Sequence, residues 1–270
     1  MRIYRCSAIK PHLAINFQRI AAAQLANRPE HFEREAIWIE IGMAIAAGLH
    51  AALPPFAESS DKARELANPY LMQHGLYADA ARAYLASIAY ADDMFGRFIK
   101  ALDASAYGKN TIVVVVSDHG YHLGEKDHWH KATMWERSVR VPFMLAAPSG
   151  SQFVPEIDRP VSLLDVYPTL SDLAGLPRPA HALGGKSLVP ALKGKEKSRG
   201  ELILTTLYPG YHSVRDDRYR YIRYPDGASE LYDLAADKWE WRDLAGDAQY
   251  ASVIARLDAV IPGKTAGKAR

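Results

Sequence analysis

A chain of 270 residues, 49% hydrophobic and 24% charged, can bury a sizeable core and has an ordinary globular balance, which excludes a disordered or fibrous class. Its formal charge of +2, with no long Lys/Arg run, excludes an electrostatic nucleic-acid binder, and no apolar stretch approaches the ~20 residues of a membrane span. Cys6 is the only cysteine, so no intrachain disulfide can form and the redox compartment stays open.

The opening MRIYRCSAIKPHL lacks an apolar h-region and a small-residue cleavage pattern, so it does not read as a signal peptide, and the localisation stays unknown. IKPHLAINF (9–17) suggests a short strand leading into a loop. The Ala-rich stretch 37–53 has helical composition and is closed by Pro54 and Pro55. Over 77–102, Tyr84, Leu85, Ile88, Ala91, Phe95, Phe98, Ile99 and Leu102 recur at spacings of three and four, the pattern of a long amphipathic helix. Gly108-Lys109-Asn110 breaks it.

TIVVVV (111–116) is an unalternating β-branched run, expected as a buried, parallel strand covered by helices on both faces. VPFMLAA (141–147) reads as a second strand of that kind. A helix follows between Leu164 and Gly175, with Asp165 as N-cap, Pro168 tolerable in the first turn and Gly175 as C-terminal cap. This order is α/β logic. Beyond Lys193, short strands at 201–208, 211–215, 218–224 and 230–233 predict a small antiparallel sheet. Pro225-Asp226-Gly227 turns between the last two, and a helix near 249–260 closes the unit. With 194–200 as linker, the expected organisation is a partial α/β domain over 1–193 and a C-terminal sheet-plus-helix subdomain over 194–270.

SDHGYHLGEKDHWHK (117–131) is the segment that carries chemistry. It starts where a strand ends, the place where open α/β sheets bind ligands. Asp118 offers hard oxygen to a cation such as Ca²⁺ or Mg²⁺, and His119 can add an imidazole or a hydrogen bond to an anion. Gly120 permits a sharp turn, and Lys131 would return positive charge to the site. The alternative reading of Asp-His-Gly is a turn or helix cap.

This segment, followed by WERSVRVPF (135–143), resembles the type I sulfatases of the alkaline-phosphatase superfamily. In these, Ser-Asp-His-Gly precedes Leu-Gly-Glu, Trp-x-Lys and an Arg-Val-Pro strand. DVYPTLSDLAGLP, GKSLVPALKG and the tail SVRDDRYRYIRYPDGASELYDLAADKWEWRDLAG continue the likeness, toward the iduronate-2-sulfatase and choline-sulfatase branch. KPHL at 10–13 resembles the family's Lys-Pro-His-[Leu/Ile] motif.

The resemblance implies an incomplete α/β/α sandwich with a small antiparallel C-terminal subdomain. It also implies sulfuric ester hydrolysis at a calcium site, with magnesium the less favoured ion. Asp118 would ligate calcium and His119 would contact metal or sulfate. Lys131 and His12 would hold sulfate oxygens from opposite sides; apart from the resemblance, His128, as a loop residue near such a site, and Lys10 are candidates to touch substrate. Sugar sulfates or small choline-type sulfates are the implied partners.

The family's nucleophile is a formylglycine made from Cys or Ser in Cys/Ser-x-Pro/Ala-x-Arg. Cys6 is followed by Ser-Ala-Ile-Lys, so that residue is not encoded here, and the Asp-Asp pair that completes the family's calcium site is also missing. The chain is therefore expected to be a C-terminal portion, truncated and inactive alone, prone to self-association through exposed sheet edges. The rivals are a phosphodiesterase or phosphonate monoester hydrolase of the same superfamily, and a non-catalytic fragment or pseudoenzyme.

Several nearby residues have simpler readings. His122, His128 and His130 crowd the loop, but without cysteine and with loop spacing they make weak zinc ligands. Glu125 is expected to brace the loop and Arg140 to pair with Glu136. The tail aromatics, Trp239 and Trp241 included, are expected to pack.

Overall fold

The structure, a computed structural model, describes residues 2–5, 69–148, 151–177, 179–196, 200 and 202–262. Lys10, His12, the strand expected at 9–17 and the helix expected at 37–53 lie outside these residues.

Strand β1 (Arg2–Arg5) belongs to a four-stranded sheet with β2 (Val113–Val116), β5 (Phe143–Ala146) and β6 (Glu156–Asp158), in the order β2-β5-β1-β6. Helix α1 (Tyr77–Asp103) precedes β2, and between β2 and β5 come the two-residue strands β3 (His122–Leu123) and β4 (Trp129–His130) and helix α2 (Glu136–Val139). β1 runs parallel to β5, but β2 pairs with β5 antiparallel, Val113 opposite Ala146 and Val116 opposite Phe143. The parallel arrangement expected for β2 and β5 is thus corrected. A parallel pair needs a crossover of a dozen or more residues, usually a helix, that returns the chain to the starting end of the sheet. Only a hairpin and the single turn of α2 separate β2 from β5, so the chain comes straight back.

The sheet's core is Phe143, Leu145, Ile157, Val161, Leu188, Ala191 and Leu192, all at most 6% exposed. Helices α3 (Val166–Leu173) and α4 (Val189–Leu192) cover it with Val166, Leu173, Leu188 and Leu192. Asp165 holds the N-cap position of α3 as expected, but its side chain caps nothing there and serves the 3₁₀ turn Leu163–Asp165 just before it. Ser162 caps the turn, accepting from the Leu164 amide, while Asp165 reaches back to the Ser162 amide at 2.9 Å. That is a capping box, and Asp165 is its third member. Gly175 ends α3 as expected, with φ +65° and the Leu176 amide bonded to the Ser171 carbonyl.

α1 forms over the expected span, yet no residue in it is fully buried, and Leu85, Ile88 and Phe98 stay exposed. Its N-terminal turns find partners: Tyr77, Ala80 and Ala81 pack on Leu71, Trp129, Tyr121 and Leu123, and Tyr84 stacks on Tyr121 with ring centres 4.7 Å apart.

The C-terminal sheet is the antiparallel meander the turn signals predict: β7 (Ile203–Thr206), β8 (His212–Arg215), β9 (Tyr219–Arg223) and β10 (Ser229–Asp233), neighbours in that order. Helix α5 (Ala251–Asp258) lays Leu257 against Val214, Tyr221 and Leu231. Tyr221 and Tyr232 pack in the core. Trp239 and Trp241 do not: they are 46% and 64% exposed, and Trp239 instead carries the Arg137 guanidinium 4.6 Å over its ring. Among the described residues no helix is long and apolar enough to cross a membrane.

Candidate functional site

β2 delivers the chain to its exit at Val116, and Ser117 tightens the turn by donating its hydroxyl to the His119 carbonyl at 2.8 Å. Asp118 then stands almost fully in solvent, its carboxylate 3.8 Å from His119 Nε2. The protonation of His119 follows from its neighbours. Nδ1 lies 2.8 Å from the Gly120 carbonyl, which can only accept, so Nδ1 carries the proton. Nε2 therefore has a free lone pair, and it receives the Lys131 ammonium at 2.9 Å. Lys131, twelve residues on, returns to the strand exit and meets His119, which in turn lies beside Asp118.

Gly120 makes this return possible. Its amide donates to the Ser138 carbonyl at 2.7 Å, and a Cβ built there would fall 1.9 Å from the Arg137 carbonyl oxygen. Backbone cannot give way as a flexible side chain can. Gly120→Ala is expected to cost about 3 kcal/mol, the upper range for overpacking, and to separate the strand exit from α2. A urea melt measures it, and a variant melting with the parent would show that the close approach is not needed.

The loop that brings Lys131 back is strained. Lys126, Asp127, His130 and Ala132 all have φ between +54° and +115°. Non-glycine residues adopt such backbone only where the surroundings force it, typically at functional sites. Glu125 supplies one constraint, accepting from the Leu123 amide at 2.7 Å and pairing with Arg137 at 3.1 Å, the bracing role expected of it. Lys126 supplies another: its ammonium donates to Tyr232 Oη at 3.0 Å and sits 4.6 Å from the ring centres of both Trp135 and Tyr232.

His128 Nε2 lies 3.2 Å from the Lys131 carbonyl, so it holds the backbone of the residue whose ammonium matters. It does not line the cavity described below. His122 is buried, with Nε2 2.9 Å from Thr133 Oγ1, which spends its own proton on Ser138 Oγ. Burial above all, then the neighbouring His128, pushes the His122 pKa down to about 4.

A cavity of about 410 Å³ opens beside the strand exit. Asp118 and His119 form one wall, Thr133, Ser138 and Arg140 a second, and Arg215 of β8 a third. Behind it lies a buried ion network that links α2 to the C-terminal sheet. Arg220 pairs with Glu136, donates to Ser213 Oγ at 2.7 Å and approaches Glu240 Oε1 at 3.0 Å, an ion-pair contact off the hydrogen-bond axis. Glu240 Oε2 in turn accepts from the Glu136 amide at 2.8 Å. Glu136 thus finds Arg220, with Arg215 at 3.9 Å, in place of the expected Arg140. Burial alone would raise the Glu136 pKa, but these guanidiniums outweigh it and hold the carboxyl low. Glu240, also buried and less well compensated, rises to about 6. Sequence reading missed Glu136, Arg215 and Arg220 as a unit, because about 80 residues separate the partners and no local spacing marks them.

The family model described as Sulfatase matches residues 34–176, more than half of the chain, and the one described as N-sulphoglucosamine sulphohydrolase, C-terminal, matches 124–265. This chain belongs to the sulfatase family. Asp118, His119, His128 and Lys131 all fall inside the first match, whereas Lys10 and His12 precede it.

The sulfatase-family chain is 39% identical over 194 residues to a sulfatase of Formosa agariphila, the alignment covering 72% of this chain and 38% of that one. It is 36% identical over 172 residues to a choline-sulfatase of Rhizobium meliloti, covering 61% and 33%. It is also 32% identical over 196 residues to a Δ4,5-hexuronate-2-O-sulfatase of Bacteroides thetaiotaomicron, covering 67% and 40%. The chain thus spans about two fifths or less of the length of these relatives.

Among solved structures, a 2-O GAG sulfatase superposes with a TM-score of 0.60 at 28% identity, covering 68% of this chain and 42% of the other. A phosphonate monoester hydrolase of Agrobacterium radiobacter gives 0.55 at 25% identity, covering 67% and 40%. The α/β architecture with its antiparallel C-terminal sheet is therefore that of the alkaline-phosphatase-like sulfatases.

Among the described residues no three His, Cys, Asp or Glu converge on a metal position. Asp118 has the right chemistry for a hard cation as a single, solvent-facing ligand, but Ca²⁺ takes six to eight oxygens. The described residues do not by themselves make a calcium site.

Proposed function

We propose that this chain forms the sulfate-gripping wall of a sulfuric ester hydrolase, acting on sugar sulfates or small choline-type sulfates. The observation that carries the reading is the contact of Lys131 Nζ with His119 Nε2 at 2.9 Å, beside the Asp118 carboxylate at the exit of β2. Lys131 does not itself line the cavity, but its ammonium is held on the imidazole of His119, which does, and could exchange that partner for a sulfate oxygen. The charge that gathers on the sulfuryl oxygens as the ester bond breaks is then met by a fixed cation. His119, neutral with its proton on Nδ1, holds Lys131 in place between substrates.

Asp118 would contribute one carboxylate to calcium, with the other ligands supplied from outside the described residues. The ion, when bound, would neutralise part of the sulfuryl charge. Because the sequence encodes no Cys/Ser-x-Pro/Ala-x-Arg pentapeptide, the reading expects binding of sulfate esters without turnover by the 270 residues alone.

Calorimetric titration with 4-nitrocatechol sulfate tests the grip. Lys131→Ala is expected to weaken binding at least about tenfold, the loss of one charge-assisted contact. Asp118→Asn is expected to remove any calcium enhancement of that affinity. Equal affinity of parent and Lys131→Ala would sink the reading. Titration with an aryl phosphonate separates the rival: tighter binding of the phosphonate than of the sulfate would favour the chemistry of the Agrobacterium phosphonate monoester hydrolase.

A further inference from the structure

β7 is the outer strand of the C-terminal sheet, in the order β10-β9-β8-β7, and the consecutive residues from Ile203 to Leu207 all line the cavity. Side chains along a strand alternate between its two faces, so such a run cannot reach one cavity through side chains alone. The side chain of Leu204 belongs to the other face, packed on the core under α5 with Val214 and Leu231. Thr206 shares that face, its hydroxyl 2.9 Å from His212 Nδ1. What these two residues show the cavity is therefore their backbone, along the free edge of the strand.

The pairing pattern says which groups that edge offers. The Leu207 amide donates to the Tyr211 carbonyl directly opposite at 3.2 Å, so these two form a hydrogen-bonded pair. Such pairs alternate with pairs whose N–H and C=O point away from the partner strand. Thr206 opposite His212 and Leu204 opposite Val214 are of the second kind. Each turns a donor and an acceptor outward, and none of these groups meets a partner among the described residues. The sheet's other edge is covered. There the Leu231 amide of β10 donates to Asp243 at 2.9 Å, and its carbonyl accepts from the Leu244 amide at 2.8 Å. Open edges are usually blunted by charge, proline or a cover, and β7, Ile-Leu-Thr-Thr, carries neither charge nor proline.

We propose that the cavity takes an extended peptide as an added strand on β7, and that the sulfate ester presented to Lys131 is carried on a tyrosine of that peptide. The inference rests on the reading of Lys131 as the sulfate grip, and adds sulfated peptides to sugar and choline-type esters as substrates. An edge that repeats one donor and one acceptor every second residue, about 6.8 Å, is matched by another extended main chain. Strand addition draws affinity from the main chain and leaves alternate side chains to pockets. Asp118 and His119 lie on another wall of the same cavity, so the ester must cross it to meet them. Among hydroxyl side chains tyrosine's is the longest. Leu163 and Leu164, 37% and 61% exposed, also line the cavity and offer apolar surface to an aromatic ring.

The test is calorimetric titration of the full chain with a short blocked peptide centred on tyrosine O-sulfate and otherwise uncharged, its unsulfated form, and blocked tyrosine O-sulfate alone. Two further copies of the sulfated peptide are N-methylated at alternate amides, one in each register. The sulfated peptide is expected to bind about tenfold more tightly than the single residue, the worth of one or two net hydrogen bonds. Methylation in one register should erase that advantage and in the other leave it, because only every second amide faces β7. Thr206→Pro removes one outward amide without touching the ladder to β8, and should lower the advantage likewise. If that variant melts below the parent, the methylated pair still decides. The inference is refuted if both registers behave alike, if the peptide binds no better than the single residue, or if no probe binds. Self-association of the chain that Thr206→Pro abolishes would seat a second copy on the edge, and also overturns it. Lys131→Ala reports on the other reading, and should weaken every sulfated probe equally. If it changes nothing and sulfation adds nothing while the register dependence persists, the grip fails and the strand edge stands. If it weakens them but the registers behave alike, the grip stands and the edge fails.

Discussion

Arg220→Met is expected to destabilise the fold by about 3–5 kcal/mol, the cost of removing one partner from a buried ion network. The side chain is 2% exposed and is the hub between Glu136, Glu240 and Ser213. Methionine fills much of the volume but leaves two buried carboxylates facing each other, with Arg215 at 3.9 Å from Glu136 as remaining compensation. Both carboxyls should then take up protons more readily, so the loss is expected to shrink at low pH. The charges and not the shape are at stake. The triple change Arg220→Met, Glu136→Leu, Glu240→Leu is therefore expected to recover most of the stability, although the Glu136 amide loses the Glu240 carboxylate it donates to. Urea melts of the parent, single and triple variants measure this. A single variant within ~1 kcal/mol of the parent would mean the network is solvated and not the buried lock described, since exposed pairs are worth no more than that.

Acid is expected to weaken the fold chiefly through His122. Unfolded, its imidazole titrates near 6.5; folded, burial first and His128 second push it to about 4. Between those values the unfolded chain holds a proton the folded chain refuses. Stability therefore falls as pH drops from 6.5 to 4, by on the order of 3 kcal/mol in all. Glu240 works in the opposite sense. Its folded value of about 6 exceeds the ordinary 4.5, so it contributes stability that is complete below 4.5 and lost as pH rises through 6. The two partly offset between pH 6 and 4.5. Below 4.5 Glu136, held low by Arg220 and Arg215 against the raising effect of burial, also begins to be protonated and adds to the loss.

His122→Gln keeps a hydrogen-bonding group for Thr133 without the titration. Stability measured from pH 7.5 to 4 is expected to fall less steeply for this variant, or to rise toward pH 5. Parallel profiles for parent and variant would show that His122 is not the group responsible. The same change also reports on the site, because Thr133 and Ser138, which His122 anchors, line the cavity.

Much of this molecule was readable in advance where the signal is local. The three-and-four spacing from Tyr84 to Leu102 marks α1, and the turn at Pro225-Asp226-Gly227 sits between β9 and β10 as its residue types demand. The strand-exit motif is equally legible. Asp118, His119 and Lys131 were singled out by residue type and order, and they meet in space. What misled was a signal that is local but ambiguous. Four consecutive valines read as a strand buried on both sides and parallel to its neighbour, and neither holds: β2 stands at the edge of the described sheet, partly exposed with Val116 open to solvent, and runs antiparallel to β5. Nor does spacing reveal whether an amphipathic stripe has a partner, and Leu85, Ile88 and Phe98 have none among the described residues that buries them.

By itself the sequence determined the element types, the membership of a carboxylate, an imidazole and an ammonium in one loop, and the family to which that loop points. Those depend on chemistry within about fifteen residues, where periodicity and turn residues act directly on the backbone. The tertiary structure alone decided how the loop is held and what surrounds it. The clamp of Lys126 on Tyr232 joins residues 106 positions apart, and the Arg220 hub reaches Glu136 across 84. Such pairs are chosen by packing and by the need to compensate buried charge, and neither leaves a mark on the local order of residues.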